Sequence, residues 1–204
     1  MRVFAAFVAF SIAGFCFAAD SKSLDIKFML RGYCYAGSVP DPKAPGGYAT
    51  SDNKPKKIAG GSIGQQGQLT LVALPGESVA FGQASKGFRL LLVNRTKTEV
   101  ALRACDSRLS IIQEAMDTDG RWRPIEYLPS SWCGNSYHRV FLPRNAFWEF
   151  AAPCYSGDYK TKLRFVLQGD QPLYSSEFEG AINLEQFTQK QGHQPTDIMD
   201  PYLE

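Results

Sequence analysis

The stretch "GFRLLLVNRTKTEVALRA", residues 87–104, decides the fold class. Its first half is a nearly continuous apolar run, the pattern of a central strand with both faces covered. Its second half alternates and carries Val100, Leu102 and Ala104 to one side, the pattern of a half-buried strand. Between them Asn94 to Lys97, "NRTK", supplies turn residues. The stretch therefore reads as strand, tight turn, strand.

Working outward, similar runs recur over 24–30, 68–74, 108–115, 121–127, 137–142, 146–152, 159–167 and 173–182, while helical periodicity is hard to find. In 159–167, Tyr159, Thr161, Leu163, Phe165 and Leu167 fall on one side and Lys160, Lys162 and Arg164 on the other. The spacing predicts an all-β antiparallel sandwich or barrel. The 87–104 phrase, followed by the proline turn "LPRN" and the aromatic run "AFWEFAA", resembles immunoglobulin-like sandwiches. The resemblance implies a single-domain immunoglobulin-like β-sandwich over 24–187.

The ends bound the compartment. Residues 1–18 combine Arg2, an apolar run and small residues before "DSKS", which is a signal-peptide pattern and predicts a secreted or periplasmic chain with no membrane span after cleavage. The remaining chain of about 185 residues has 21 basic and 20 acidic residues, so nothing steers it to nucleic acid or an anionic membrane. That length suits one domain burying roughly 70% of its unfolded surface. Residues 36–67 form a long loop dense in Gly, Pro and Ser, read as a disordered or surface flap or as a ligand-covering or partner-binding loop. Residues 188–204 read as a polar tail.

A hairpin over 137–152, turning at "PRN", sets Leu142 opposite Ala146. It pairs Arg139 with Glu149 and Phe141 with Phe147 on one face, and turns His138, Val140 and Leu142 inward beside Trp148 and Phe150. Four cysteines remain after removal of the signal, an even number in an exported chain. The hairpin brings Cys133 near Cys154, with a bulge at Gly134 absorbing an offset of one residue, and leaves Cys34 for Cys105. Two disulfides, Cys133–Cys154 and Cys34–Cys105, are the expectation.

Few residues invite a reactive reading. Cys133, Asn135 and His138 are the residue types of a thiol hydrolase, yet the first and last are separated by roughly 16 Å of extended chain. The cysteine spacings match no common zinc module. "DTDGRW", 117–122, opens like a calcium loop, lacks its later ligands and reads as a hairpin turn. Glu114 and Glu126, on neighbouring strands with Arg103 and Arg123, can be an acid and base on a glycoside or a ladder of charge pairs. "NRT" at Asn94 is also an N-glycosylation acceptor by pattern. No metal or cofactor is implied.

The reading is a secreted, disulfide-stabilised interaction protein that binds a protein or a carbohydrate through loops and through Trp132, Asn135, Trp122 and Tyr127. The alternatives are a secreted hydrolase using Glu114 and Glu126, and a structural envelope or matrix component.

Overall fold

In a computed structural model of the chain, residues 22–61, 63–129 and 134–190 are described. They form an all-β structure whose longer strands are β1 (Leu69–Phe81), β2 (Ser85–Asn94), β3 (Val100–Cys105), β4 (Ile111–Met116), β5 (Tyr137–Leu142), β6 (Ala146–Pro153), β7 (Tyr159–Leu167) and β8 (Phe178–Ile182). One sheet has the order Lys56–Lys57, β6, β2, β1. Facing it are a sheet of β5, β3 and Arg108–Leu109, and a sheet in which β7 lies between β4 and both Leu173–Tyr174 and β8. The chain passes from the second sheet to the third at Ser110. No helix among the described residues is long and apolar enough to cross a membrane.

The two sides close over one core. Leu71, Phe88, Leu90, Leu92, Trp148 and Phe150 come from the first sheet, and Ala104, Leu109, Ile111, Val140, Leu142 and Phe165 from the facing pair. Each large apolar side chain taken out of water there contributes roughly 1.5–3 kcal/mol. The unbroken run in β2 has a direct cause: Leu90 and Leu92 face this core, while Leu91 and Val93 face a second cluster roofed by Ile58 and Ile63. Gly64, at a positive φ of 72°, crosses so close above Val93 that any side chain there would collide with it.

Strand positions follow the sequence reading closely at β2, β5, β6 and β7, with differences where a strand changes neighbours. The expected 24–30 strand is two short pieces, Leu24–Asp25 pairing in parallel with Tyr155–Ser156 and Leu30–Arg31 with Glu126–Tyr127. β1 runs past its expected end at residue 74 because Pro75 sits in a register shift between Leu74 and Ser78 on an edge strand, where its missing N–H costs no ladder bond.

Neither expected turn makes a hairpin. β2 pairs with β1 and β6, and β3 pairs with β5, so "NRTK" carries the chain from one sheet to the other and "PRN" brings it back. Asn94 joins the two crossings. Its fully buried side chain donates from Nδ2 to the carbonyls of Thr98, Leu142 and Pro143, and its Oδ1 accepts the Thr96 N–H. The sequon asparagine is thus internal and is no acceptor in the folded chain. Arg139 stands opposite Arg103, and Glu149 opposite Leu91, which corrects the expected Arg139–Glu149 pair. Phe141 lies opposite Ala101, not Phe147. The faces survive the change of partner: His138, Val140, Leu142, Ala146, Trp148 and Phe150 are all buried, because both strands turn the same parity toward the core between facing sheets.

Residues 36–61 are an ordered strap. Lys56–Lys57 adds to β6, Asn53 Nδ2 bonds the carbonyls of Tyr35 and Glu149, Trp148 Nε1 donates to Gly37 O, and Ser107 Oγ donates to Ala49 O. The expected staples differ from what is found: Cys34, Cys105 and Cys154 are free thiols. Cys34 aligns with Leu109 and faces the core with it, whereas Cys105 aligns with Arg108 one position out of phase. A strand lies between them, so their backbones are about 9–10 Å apart, too far for a disulfide. Cys133 lies outside the described residues, as do the expected signal segment and most of the polar tail.

Candidate functional site

Among the described residues, those singled out by sequence do not converge. Trp132 lies outside the described residues. Asn135 is exposed in the short 3-10 turn Gly134–Ser136, with its Nδ2 beside Gly47 of the strap. Trp122 is half-buried, and the Arg164 guanidinium lies 4.2 Å above its ring. The same guanidinium lies 4.1 Å from the Tyr174 ring and donates to Glu114 at 2.8 Å. Tyr127 has Lys190 Nζ 5.5 Å from its ring. These aromatics already carry cations of the same chain.

The two glutamates face different surroundings. Glu114 is held by Arg164 on the outer side of β4, while Glu126 is 1% exposed and points inward. Tyr33 and Tyr155 both donate to its Oε1, at 2.9 and 2.8 Å, and the Gln113 N–H donates to Oε2 at 2.9 Å. Burial pushes the Glu126 carboxyl up to about 7 against the pull of these three donors, and burial likewise raises both phenols well above their ordinary value. The carboxyl ties the segment after Leu30–Arg31 to the residues that follow β6. Glu114 is turned outward to Arg164 and Glu126 is enclosed by Tyr33, Tyr155 and the Gln113 N–H, so these two carboxyls do not face each other.

His138 is buried as expected, but it is packed by the strap: Tyr48 stacks on it with ring centroids 3.7 Å apart. The Ser107 N–H can only donate, so Nε2 accepts and Nδ1 carries the proton toward Arg139 O, 3.1 Å away. The ring is a neutral structural link with two backbone partners. The crevice beside it is about 40 Å³, too small for more than water. In "DTDGRW", Asp117 Oδ1 accepts the N–H groups of Asp119 and Arg121, which is the turn reading. No cluster of three or more His, Cys, Asp or Glu among the described residues is arranged to hold a metal.

The site that the residue types did not announce is a groove of about 500 Å³ between the second and third sheets. One wall is β3; the other is Leu167, Gln168, Gly169, Gln171 and Leu173. Leu69, Leu102, Leu167 and Leu173 form its floor and belong to or pack on the main core, so among the described residues the core is uncovered along this line. The groove lies where β3, among the described residues, has a full neighbour on one side only. Arg108–Leu109 pairs with Cys105 and Ala104 through a two-residue turn, Asp106 and Ser107, both at positive φ, and then leaves for the other sheet. Residues 100–103 have no strand partner on that side among the described residues. The alternation in "TEVALRA" shows which side chains face inward; nothing in it announces a missing neighbour.

No protein-family model, curated protein or solved structure matches this chain.

Proposed function

We propose that this chain is an exported, immunoglobulin-like β-sandwich that works by binding a protein partner, and that the groove beside residues 100–103 is its binding surface. The observation that carries the reading is the open flank of the core: leucines at 69, 102 and 173 remain partly exposed on the floor of a groove about 500 Å³ in volume. Pockets of that size with apolar floors and a few polar rim groups are where ligands bind. A leucine floor suits apolar polypeptide side chains better than sugar rings, which need flat aromatic faces. Of the aromatics singled out in the sequence, Trp122 and Tyr127 already carry Arg164 and Lys190, and the groove lining holds an exposed Tyr137 beside its leucines. Export rests on the pattern of residues 1–18, and the immunoglobulin-like arrangement on the run of antiparallel strands crossing between facing sheets.

The test is selection of a phage-displayed random peptide library on the wild-type protein and on Leu173→Lys, whose change lies on the partly exposed groove floor. Enriched peptides are expected to bind the wild type and to lose about tenfold or more in affinity for the folded variant, roughly 1.4 kcal/mol. Failure to enrich any peptide, equal binding to both proteins, or retention on a glycan array without peptide binding would each overturn the reading.

A further inference from the structure

The groove differs from an ordinary apolar pocket in having a row of backbone groups along one wall. The two-residue turn at Asp106 and Ser107 fixes their direction. In such a turn the flanking residues exchange hydrogen bonds, so the N–H and C=O of Cys105 point toward Arg108. Backbone direction alternates along a strand, so Ala101 and Arg103 point their N–H and C=O to the same side as Cys105, into the groove. Leu102 and Ala104 point theirs to β5, and the Asp106 N–H bond to Ser136 O shows the same parity. Two donors and two acceptors, in pairs about 7 Å apart, therefore face the groove with no backbone partner among the described residues.

Charge along this edge is uncompensated as well. Arg103 and Arg139 are directly opposite in the ladder. Arg139 is neutralised by Asp41, whereas Arg103 is exposed and has no ion pair or hydrogen bond among the described residues. A second copy of this chain pairing edge to edge would bring two such arginines together on one face, which is unfavourable. An incoming strand with a carboxylate opposite Arg103 would answer the charge.

We infer that the groove takes its partner by β-strand addition: an extended polypeptide segment pairs with Ala101 and Arg103, placing an acidic residue beside Arg103 and apolar residues on either side of it over Leu102 and Leu69. The inference rests on the proposed function and adds the mode and the sequence pattern of the ligand. The spacing of the unpaired groups matches a polypeptide backbone, and main-chain bonds supply affinity while alternate side chains supply specificity. The segment continues the line that Arg108–Leu109 abandons and covers the open flank of the core.

Two end-blocked heptapeptides of alternating valine and threonine, one with a central glutamate and one with a central lysine, serve as probes for amide exchange and chemical-shift measurements. The glutamate peptide is expected to slow exchange at the Ala101 and Arg103 amides about tenfold at saturation and to bind several-fold tighter than the lysine peptide, with the preference reversed in Arg103→Glu. Ala101→Pro removes one groove-facing N–H while leaving the β5 ladder intact, and is expected to lose binding with an unchanged melting temperature; if it does not fold, Arg103→Glu carries the test. Unaltered exchange at Ala101 and Arg103 overturns strand addition. If Leu69 and Leu173 still shift on peptide addition, binding at the groove survives; if they do not, it falls too. A peptide-free dimer that pairs through residues 100–103 overturns the choice of occupant.

Discussion

Asp41 accepts three hydrogen bonds from Arg139: from its backbone N at 2.9 Å, from Nε at 3.0 Å and from a terminal guanidinium nitrogen at 2.8 Å. A carboxylate from the middle of a glycine- and proline-rich segment is thus clamped to β5, and the Arg139 bonds hold its carboxyl well below the usual range. Such a lowered group stabilises the fold at neutral pH and gives that up only in strong acid. In Asp41→Asn the side chain turns an amide toward the guanidinium and the clamp opens. Trypsin cleavage after Lys43, which precedes Ala44, is expected to accelerate about tenfold while the strands of the core stay folded. Equal cleavage rates would mean that Asn53 and Trp148 hold the strap without Asp41.

Glu126 has the opposite pH signature. Its folded value of about 7 lies above the ordinary 4.5, so the folded state binds the proton more tightly than the unfolded state. The stability it supplies is complete below pH about 4.5 and is lost as pH rises through about 7, on the order of 3 kcal/mol in all. Glu126→Gln removes the ionisation. A plot of unfolding free energy against pH should fall between 4.5 and 7.5 for the wild type and be flatter in the variant; parallel curves would rule out Glu126 as the source.

Asn94→Ala leaves the Leu142 carbonyl without its side-chain donor and unties both crossings between the sheets. A loss of roughly 2–4 kcal/mol is expected in denaturant unfolding. Asn94→Asp should be as damaging, because a carboxylate would face three carbonyl oxygens. A well-tolerated aspartate would show that the side chain is not held between the crossings.

Cys34 is buried and its thiol is pushed well up by burial, whereas Cys105 and Cys154 are half-buried and burial raises their thiols too. Iodoacetamide on the native protein should modify Cys105 and Cys154 first and reach Cys34 only on unfolding. A Cys34–Cys105 bridge in a nonreduced digest would contradict the order in which Arg108–Leu109 lies between them.

Much of the site was illegible for reasons that particular residues make plain. Glu126 sits in the same kind of alternating run as Glu114, and one is buried among tyrosines while the other is clasped by Arg164 at the surface. Their difference comes from what packs against the strand, which the strand's own residues do not encode. Residues 36–61 have no apolar period, yet they are ordered by isolated anchors, Asp41, Asn53 and Ile58, each useful only once its distant partner is in place.

The sequence by itself determined the all-β character, the position of most strands and which face of each is buried, because side chains alternate with a period of two whatever the neighbour. It set His138 and Trp148 inward even though the hairpin that their spacing predicts does not form. The tertiary structure alone decided which strands pair, because ladder hydrogen bonds join backbone groups that every residue type shares. For the same reason only the fold could show that, among the described residues, 100–103 have no strand on one side and a groove runs beside them over the core.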